Sequence, residues 1–65
     1  MKYLADNIKY LRKKLGLSQE KLAELLGLNR GNIASYEKGV AEPRIANLIK
    51  MMLVFLNDFI SFSKY

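Results

Sequence analysis

The segment from Arg30 to Lys38 is the part of this chain whose residue types and spacing can do chemistry. Ile33 and Tyr36 stand three apart, so in a helix they share one inner face. The residues left outside that face or at its margins include Arg30, Gly31, Asn32, Ser35 and Lys38. An arginine fork pairs with O6 and N7 of guanine for about 1–3 kcal/mol of discrimination, and an asparagine amide bonds adenine or a phosphate oxygen. The pattern indicates recognition of nucleic acid, with Arg30 the main base-reading candidate and Asn32 favoured for phosphate.

Three polar residues stand where a nucleic-acid backbone would pass. Gln19 opens the preceding helix, beside amides that have no partner within that helix, and such amides can hold a phosphate. Lys38 and Arg44 flank the loop 39–43 and could meet phosphates on the far side of a groove. Contacts of this kind set the docking register on a duplex. The alternative is a glutamine with no role and cations that only face water.

The elements that must position these residues lie in the run from Gln19 to Lys38, which has the spacing of two short helices around a tight turn. Ala23 is small enough for the point where the helices approach most closely, and Gly27 accepts the positive φ of the turn. Ile33 can anchor the second helix to a core. This is the helix-turn-helix pattern, whose second helix can lie in the major groove of DNA.

The composition limits the alternatives. The chain has 65 residues, which suffices for one small domain over residues 1–65, and its 51% apolar content excludes a disordered tail. It contains no cysteine and no histidine, so disulfides and thiol chemistry are excluded, and a zinc or iron site is not expected. Because the usual general base is also missing, we expect neither an enzyme nor a cofactor.

The charge and hydropathy of the chain fit the same expectation. Eleven Lys and Arg oppose six Asp and Glu, which gives a net charge of +5. This charge suits a polyanionic partner, although it also lies in the range that keeps small domains soluble. The N-terminus carries no signal-peptide pattern, and the longest apolar run, from Met51 to Leu56, is too short to span a bilayer. We therefore expect a cytoplasmic protein with no membrane contact.

Helix boundaries follow from caps and breakers. An apolar stripe at Leu4, Ile8, Leu11 and Leu15 predicts a first helix that Gly16 ends. Ser18 and Asn29 are the predicted N-caps of the next two helices, which Gly27 and Gly39 end. Pro43 is predicted to open a fourth helix at its first helical position.

The apolar segment 43–62 carries two adjacent stripes where a surface helix needs one. The first stripe is Leu48, Met52, Phe55 and Phe59. The second stripe is Ile49, Leu53, Leu56 and Ile60. The additional apolar stripe predicts that a second surface packs against this segment, and we assign the second stripe to a dimer interface. Whether this segment forms one helix or two stays open at this stage.

The run GLSQEKLAELLGLNRGNIASYEKG resembles the helix-turn-helix domain of the phage repressor and Cro type. The resemblance covers about Asn7 to Lys50. It implies an all-α, compact bundle of four to five short helices, and a homodimer on a roughly palindromic operator. It also implies a phosphate contact for Gln19, base contacts for Arg30, Gly31 and Ser35, and a backbone contact for Asn32.

The resemblance further implies a structural pair of residues. This chain also departs from the family's pattern in two places. Arg12 and Glu37 match the family's arginine–glutamate pair, in which a bidentate bond would fix the third helix on the first. The alternative is a surface pair worth less than about 1 kcal/mol. Gly31 removes one base-reading side chain. The stretch VFLNDFI runs through the place where the family usually breaks its last two helices.

The expected function is therefore sequence-specific binding of double-stranded DNA by a homodimeric transcriptional repressor. Two symmetric subunits would place their third helices about 34 Å apart, one turn of DNA. The rival hypothesis is a protein-interaction module on the same scaffold, such as an antitoxin-like or anti-repressor subunit, with the apolar segment as its binding surface. No small-molecule ligand is evident from the sequence.

Overall fold

In a computed structural model, four α-helices follow one another: α1 (Lys2–Lys14), α2 (Gln19–Leu26), α3 (Arg30–Lys38) and α4 (Ile45–Ser63). The structure describes the backbone of residues 2–63 and the side chains of residues 2–58 and 60. This part of the chain contains no strand, so the all-α helix-turn-helix fold is confirmed. Residues 1, 64 and 65 of the predicted domain lie outside the described residues.

The turn between α2 and α3 forms for local reasons. The hydroxyl of Ser18 accepts a 2.9 Å bond from the Lys21 amide, which satisfies one of the free donors at the start of α2. At the other end, Gly27 adopts φ +70°, and the Leu28 amide donates to the Ala23 carbonyl at 2.8 Å. The helix therefore stops within one residue, and the chain reverses into α3 as the glycine predicts.

The core lies where α2 meets α3 and α4 and where α1 meets α3. Its buried members are Ile8, Leu22, Ala23, Leu26, Ile33, Tyr36, Met51 and Phe55. Ile33 is fully buried and Ala23 is 1% exposed, which is the burial that an anchor of α3 and a point of close helix approach require. Fully burying a side chain of this size contributes about 1.5–3 kcal/mol, so Ile33 is one of the residues that attach α3 to the body.

The apolar segment forms one continuous helix, α4, which resolves the alternative that the sequence left open. Its start differs from the prediction. The Arg44 carbonyl accepts the Leu48 amide at 2.9 Å, so Arg44 is the residue before the first helical turn, and Pro43 precedes it. The prediction that Pro43 is the first helical residue was wrong. A proline fixes its own φ and lacks an amide, and both properties are equally compatible with a position just ahead of the helix.

The inner face of α4 also differs from the predicted stripe. Met51 is 1% exposed and Phe55 is buried, whereas Met52 is 63% exposed. Met52, a member of the first stripe, therefore faces solvent and Met51 takes its place in the core, because the packing of α4 on α2 sets the rotation of α4 and both residues are compatible with the local spacing. Leu48 is half-buried as expected. The side chain of Phe59 lies outside the described residues.

The second predicted stripe of α4 is open to solvent. Ile49, Leu53, Leu56 and Ile60 are each between 52% and 61% exposed. Within residues 2–63, no helix combines the length and hydropathy that crossing a bilayer requires. An apolar surface of this kind on a small protein is typical of an interaction site.

Candidate nucleic-acid interface

The start of α3 is held by a reciprocal pair of asparagines. The Asn29 side chain accepts the Asn32 amide at 2.9 Å, and the Asn32 side chain accepts the Asn29 amide at 3.1 Å. Two donors that the helix cannot satisfy are thereby paired, as in a capping box. Gly39 ends the helix at φ +77°. The nine residues of α3 are therefore fixed at both ends by their own sequence.

The outer face of α3 is the candidate contact surface. Gly31, Ser35 and Lys38 follow one another at intervals of four and three residues, so they share the face opposite Ile33. Gly31 and Lys38 are exposed and Ser35 is half-buried. Because Ile33 is fully buried behind this face, α3 presents these residues outward.

Three cations around this face have no partner among the described residues. Arg30 opens α3, Lys38 closes it, and Arg44 stands just ahead of α4. All three are exposed, and no carboxylate of the described chain pairs with them. Their positive charge is therefore free to meet an external anion.

The surroundings of Arg30 are not uniformly basic. Arg30 borders a depression of about 470 Å³ between α2 and α3 that Glu20 and Glu24 also line. Glu24 already pairs with Lys21 at 3.4 Å in an exposed ion pair. Two carboxylates on the α2 side repel phosphate, so a polyanion would meet Arg30 from the outer side of α3.

The side chain of Asn32 has fewer groups free to contact a nucleic acid than the sequence indicates. Its side-chain oxygen accepts the Asn29 amide, and the residue is half-buried. A bidentate pairing with adenine needs both the oxygen and the amide nitrogen. As long as the capping bond is kept, Asn32 has only its nitrogen to offer, which fits a phosphate contact better than a base contact.

The structure gives a reason for a glycine at position 31, in addition to any functional reason. A Cβ built at this position would lie 3.2 Å from the side-chain oxygen of Asn29. That is a tight contact with the atom that caps α3. A glycine here leaves room for the capping side chain, a constraint that helical spacing alone does not reveal.

The Arg12–Glu37 pair joins α1 to α3 in the structure. Arg12 Nε donates to one Glu37 oxygen at 2.6 Å and Nη2 donates to the other at 3.1 Å, while Nη1 donates to the Leu17 carbonyl at 2.8 Å. The side chains of the pair are only 10% and 4% exposed. This is a bidentate, largely buried contact rather than a surface pair, and it fixes α3 on α1.

Gln19 belongs to the same cluster. Its Nε2 donates to a Glu37 oxygen at 3.1 Å, and the residue is half-buried. Glu37 therefore ties together α1, the first residue of α2 and α3. The bond uses one of the two N–H groups of Gln19 and leaves the other, together with its oxygen, unengaged among the described residues. Gln19 is thus a positioned side chain.

The charge state of Glu37 follows from this environment. Burial by itself raises the pKa of the carboxyl group, but the hydrogen bonds from Arg12 and Gln19 and the positive charges of Arg12 and Lys9 outweigh it. The pKa of Glu37 is therefore lowered from its ordinary value. The carboxylate stays ionised at neutral pH, as the bidentate bond requires.

Three features of this arrangement were not predicted from the sequence. The Asn29–Asn32 reciprocal cap has a local signal, since the two residues stand three apart at a helix start. The Gln19–Glu37 bond links residues 18 apart and has no such signal. The third is an apolar groove between α1 and α4, which Tyr10 and Leu11 line from the α1 side.

Comparison with known proteins agrees with this geometry. A family model described as helix-turn-helix matches residues 8–55, and the chain belongs to this family. The match confirms the resemblance indicated by the sequence motif. The chain is also 36% identical over 52 residues to the uncharacterized HTH-type transcriptional regulator YgzD of Bacillus subtilis (strain 168), covering 80% of this chain and 79% of that protein. No solved structure matches the chain.

Proposed function

We propose that this helix-turn-helix protein is a sequence-specific double-stranded DNA-binding regulator that acts as a homodimeric transcriptional repressor. The observation that carries the proposal is the outer face of α3, which is anchored by Ile33 and Glu37 and bordered by the exposed cations Arg30 and Lys38. Family membership and the transcriptional-regulator name of the relative support it. In this proposal α3 enters the major groove.

The proposed base contacts come from the first six residues of α3. Arg30 reads guanine through its guanidinium, and Ser35, one turn along, reaches a base edge or a phosphate. Gly31 allows the helix backbone to approach the base pairs closely. Asn32 contacts the DNA backbone through its side-chain nitrogen. Arg30 therefore carries most of the sequence discrimination.

The proposed phosphate contacts surround the recognition helix. Ser18 already caps the Lys21 amide, which leaves the amides of Gln19 and Glu20 at the start of α2 for an anion. The free N–H of Gln19 donates to the same phosphate, because Glu37 holds the side chain in place. Lys38 and Arg44 contact phosphates beyond the other end of α3.

The proposed dimer uses the exposed stripe of α4. Burying Ile49, Leu53, Leu56 and Ile60 against a second subunit removes from water the apolar side chains that this monomer leaves open. A two-fold dimer places two α3 helices about 34 Å apart on a roughly palindromic operator. Occupation of such a site excludes other proteins from the same DNA, which is how we expect repression to work.

A pair of substitutions tests the assignment. Arg30→Ala should lower the affinity for the operator but not for random DNA, so the specificity ratio falls by about 5- to 150-fold, equivalent to 1–3 kcal/mol. Gln19→Ala should weaken binding to all sequences alike. Lys21→Ala, a cation already paired with Glu24, is the control and should leave the specificity ratio unchanged. Equal losses on operator and random DNA from both Arg30→Ala and Gln19→Ala would argue against the proposal.

The protein-interaction module remains the competing function because the exposed stripe of α4 would serve it equally well. The two functions differ in their response to duplex DNA and salt. Size-exclusion chromatography with and without duplex at two salt concentrations should show a salt-sensitive shift if the regulator proposal is right. Association with another protein that does not respond to salt, without a DNA shift, would favour the module.

A further inference from the structure

The exposed stripe of α4 has an internal symmetry. We call its four residues, Ile49, Leu53, Leu56 and Ile60, the α4 seam. Their intervals are four, three and four residues, so the seam has the same spacing in both chain directions. These are the intervals of the a and d positions of a coiled coil, which pack against a second helix. A helix with this seam can pair with an inverted copy of itself without a mismatch.

The two flanks of the seam are different in character. On one flank lie Met52, which is 63% exposed, and a groove of about 590 Å³ whose lining from α1 is Tyr10, Leu11, Leu15 and one exposed cation, Lys14. On the other flank lie Lys50 and Asn57, both exposed. The apolar surface therefore continues from the seam into the groove on one side and ends at polar residues on the other.

We propose that a second copy of this chain packs on the α4 seam in the antiparallel direction, with the two-fold axis passing between Leu53 and Leu56. Ile49 of one copy then lies opposite Ile60 of the other, and Leu53 lies opposite Leu56. This inference rests on the homodimer in the proposed function and specifies its interface, helix direction and register.

The direction follows from the flanks. When two facing helices are related by a two-fold axis parallel to them, unlike flanks meet, and Met52 and the groove would face Lys50 and Asn57 of the other copy. When the axis is perpendicular to the helices, like flanks meet. Only the antiparallel pairing joins apolar flank to apolar flank, buries both grooves together and leaves Lys50 and Asn57 in water. Apolar burial drives association, whereas burying an unpaired charge opposes it.

A second copy is the occupant because the surface is complementary to itself. The spacing of the seam is symmetric about its own centre, and each flank matches the same flank of an inverted copy. A chain of 65 residues also buries a small core, and a subunit interface adds the apolar burial that such a domain lacks.

Cysteine cross-linking tests the register, because the chain contains no cysteine of its own. In the antiparallel pairing, residues 49 and 60 of different copies are adjacent. Two copies of residue 49, by contrast, are separated by roughly 16 Å along the helix axis, from 11 residues at 1.5 Å each. A disulfide requires Cα atoms within about 7 Å. An oxidised mixture of Ile49→Cys and Ile60→Cys should therefore give covalent dimer, several-fold more than either variant alone.

Val40→Cys provides the control for random collision, since Val40 is 75% exposed in the loop after α3 and lies outside the seam. Circular dichroism of each variant checks that the fold is retained. Cross-linking of Ile49→Cys alone at the yield of the mixture would indicate parallel helices and overturn the inference. A monomer in sedimentation, or a dimer in which the mixture yields no more than the Val40→Cys control, would also overturn it.

Duplex binding by the unmodified protein separates this inference from the proposed function. A dimer with the predicted cross-link that binds no duplex would support the interface and contradict the DNA-binding proposal. Specific duplex binding by a chain that stays monomeric on and off DNA would contradict the interface and leave DNA binding standing.

Discussion

The buried Arg12–Glu37 pair leads to the sharpest stability prediction, because the chain contains an exposed ion pair for comparison. Glu37→Ala removes the carboxylate that accepts from Arg12 and Gln19. Glu24→Ala removes the partner of Lys21 in a pair whose side chains are 51% and 70% exposed. The two substitutions delete the same chemical group from a buried network and from the surface.

The two substitutions are expected to lower the free energy of unfolding by amounts that differ several-fold. Without Glu37, the 8% exposed Arg12 keeps only the Leu17 carbonyl as an acceptor, and its Nε and Nη2 groups are left unpaired. Removing one partner of a buried pair costs about 3–5 kcal/mol. Breaking the exposed pair costs less than about 1 kcal/mol. Since a domain of this size is stable by roughly 3–10 kcal/mol, Glu37→Ala should bring the protein close to unfolding at room temperature.

Urea unfolding followed by circular dichroism measures both costs. Protein concentration must be equal in all samples, because the stability of a dimer depends on it. We expect a large fall in the unfolding midpoint for Glu37→Ala and a shift near experimental error for Glu24→Ala. If Glu37→Ala also cost less than about 1 kcal/mol, the limit for exposed pairs, Arg12 and Glu37 would not hold α3 on α1.

The remaining predictions concern acid, the cap and the anchor of α3. Because the pKa of Glu37 is lowered in the folded protein, its contribution to stability is complete above the unfolded pKa of about 4.3 and is lost as the pH falls through the folded value. Urea titrations below about pH 5 should therefore show a steeper loss of stability in the parent than in Glu37→Gln. Asn29→Ala removes the side chain that caps α3 and should lower the free energy of unfolding by about 1 kcal/mol in the same assay, whereas Asn29→Asp should retain most of it. Ile33→Ala leaves a cavity in the core and should cost about 2–5 kcal/mol, whereas Leu25→Ala at a 44% exposed site should cost far less; equal costs would contradict the role of Ile33 as anchor.

Features governed by a single residue or by neighbours in the chain could be predicted from the sequence. Gly27 adopts the positive φ that the turn requires, and Ser18 and Asn29 cap the helices they precede. Ile33 is buried as its spacing indicates. Turn geometry, capping and helical periodicity all act within one or two helical turns, so they are visible without knowledge of the packing.

Features decided by tertiary packing could not be predicted in the same way. Met51 rather than Met52 enters the core because α4 rotates to pack on α2, and both residues fit the local pattern. The bond from Gln19 to Glu37 joins residues on different helices and depends on how α2 and α3 cross. The sequence also left open whether α4 continues past Asn57. No glycine or proline marks a break there, and the polar residues Asn57 and Asp58 are compatible with one helix or with two.

Selection of bound duplexes from a random pool is the most direct test of the central claim that α3 reads DNA. We expect an enriched motif with two inverted half-sites centred about one helical turn apart, and loss of preference at one symmetric pair of positions in the Arg30→Ala variant. Recovery of unenriched sequences by the parent protein, at salt concentrations low enough to retain DNA, would contradict the claim. An enriched motif that Arg30→Ala leaves unchanged would show that Arg30 does not read bases.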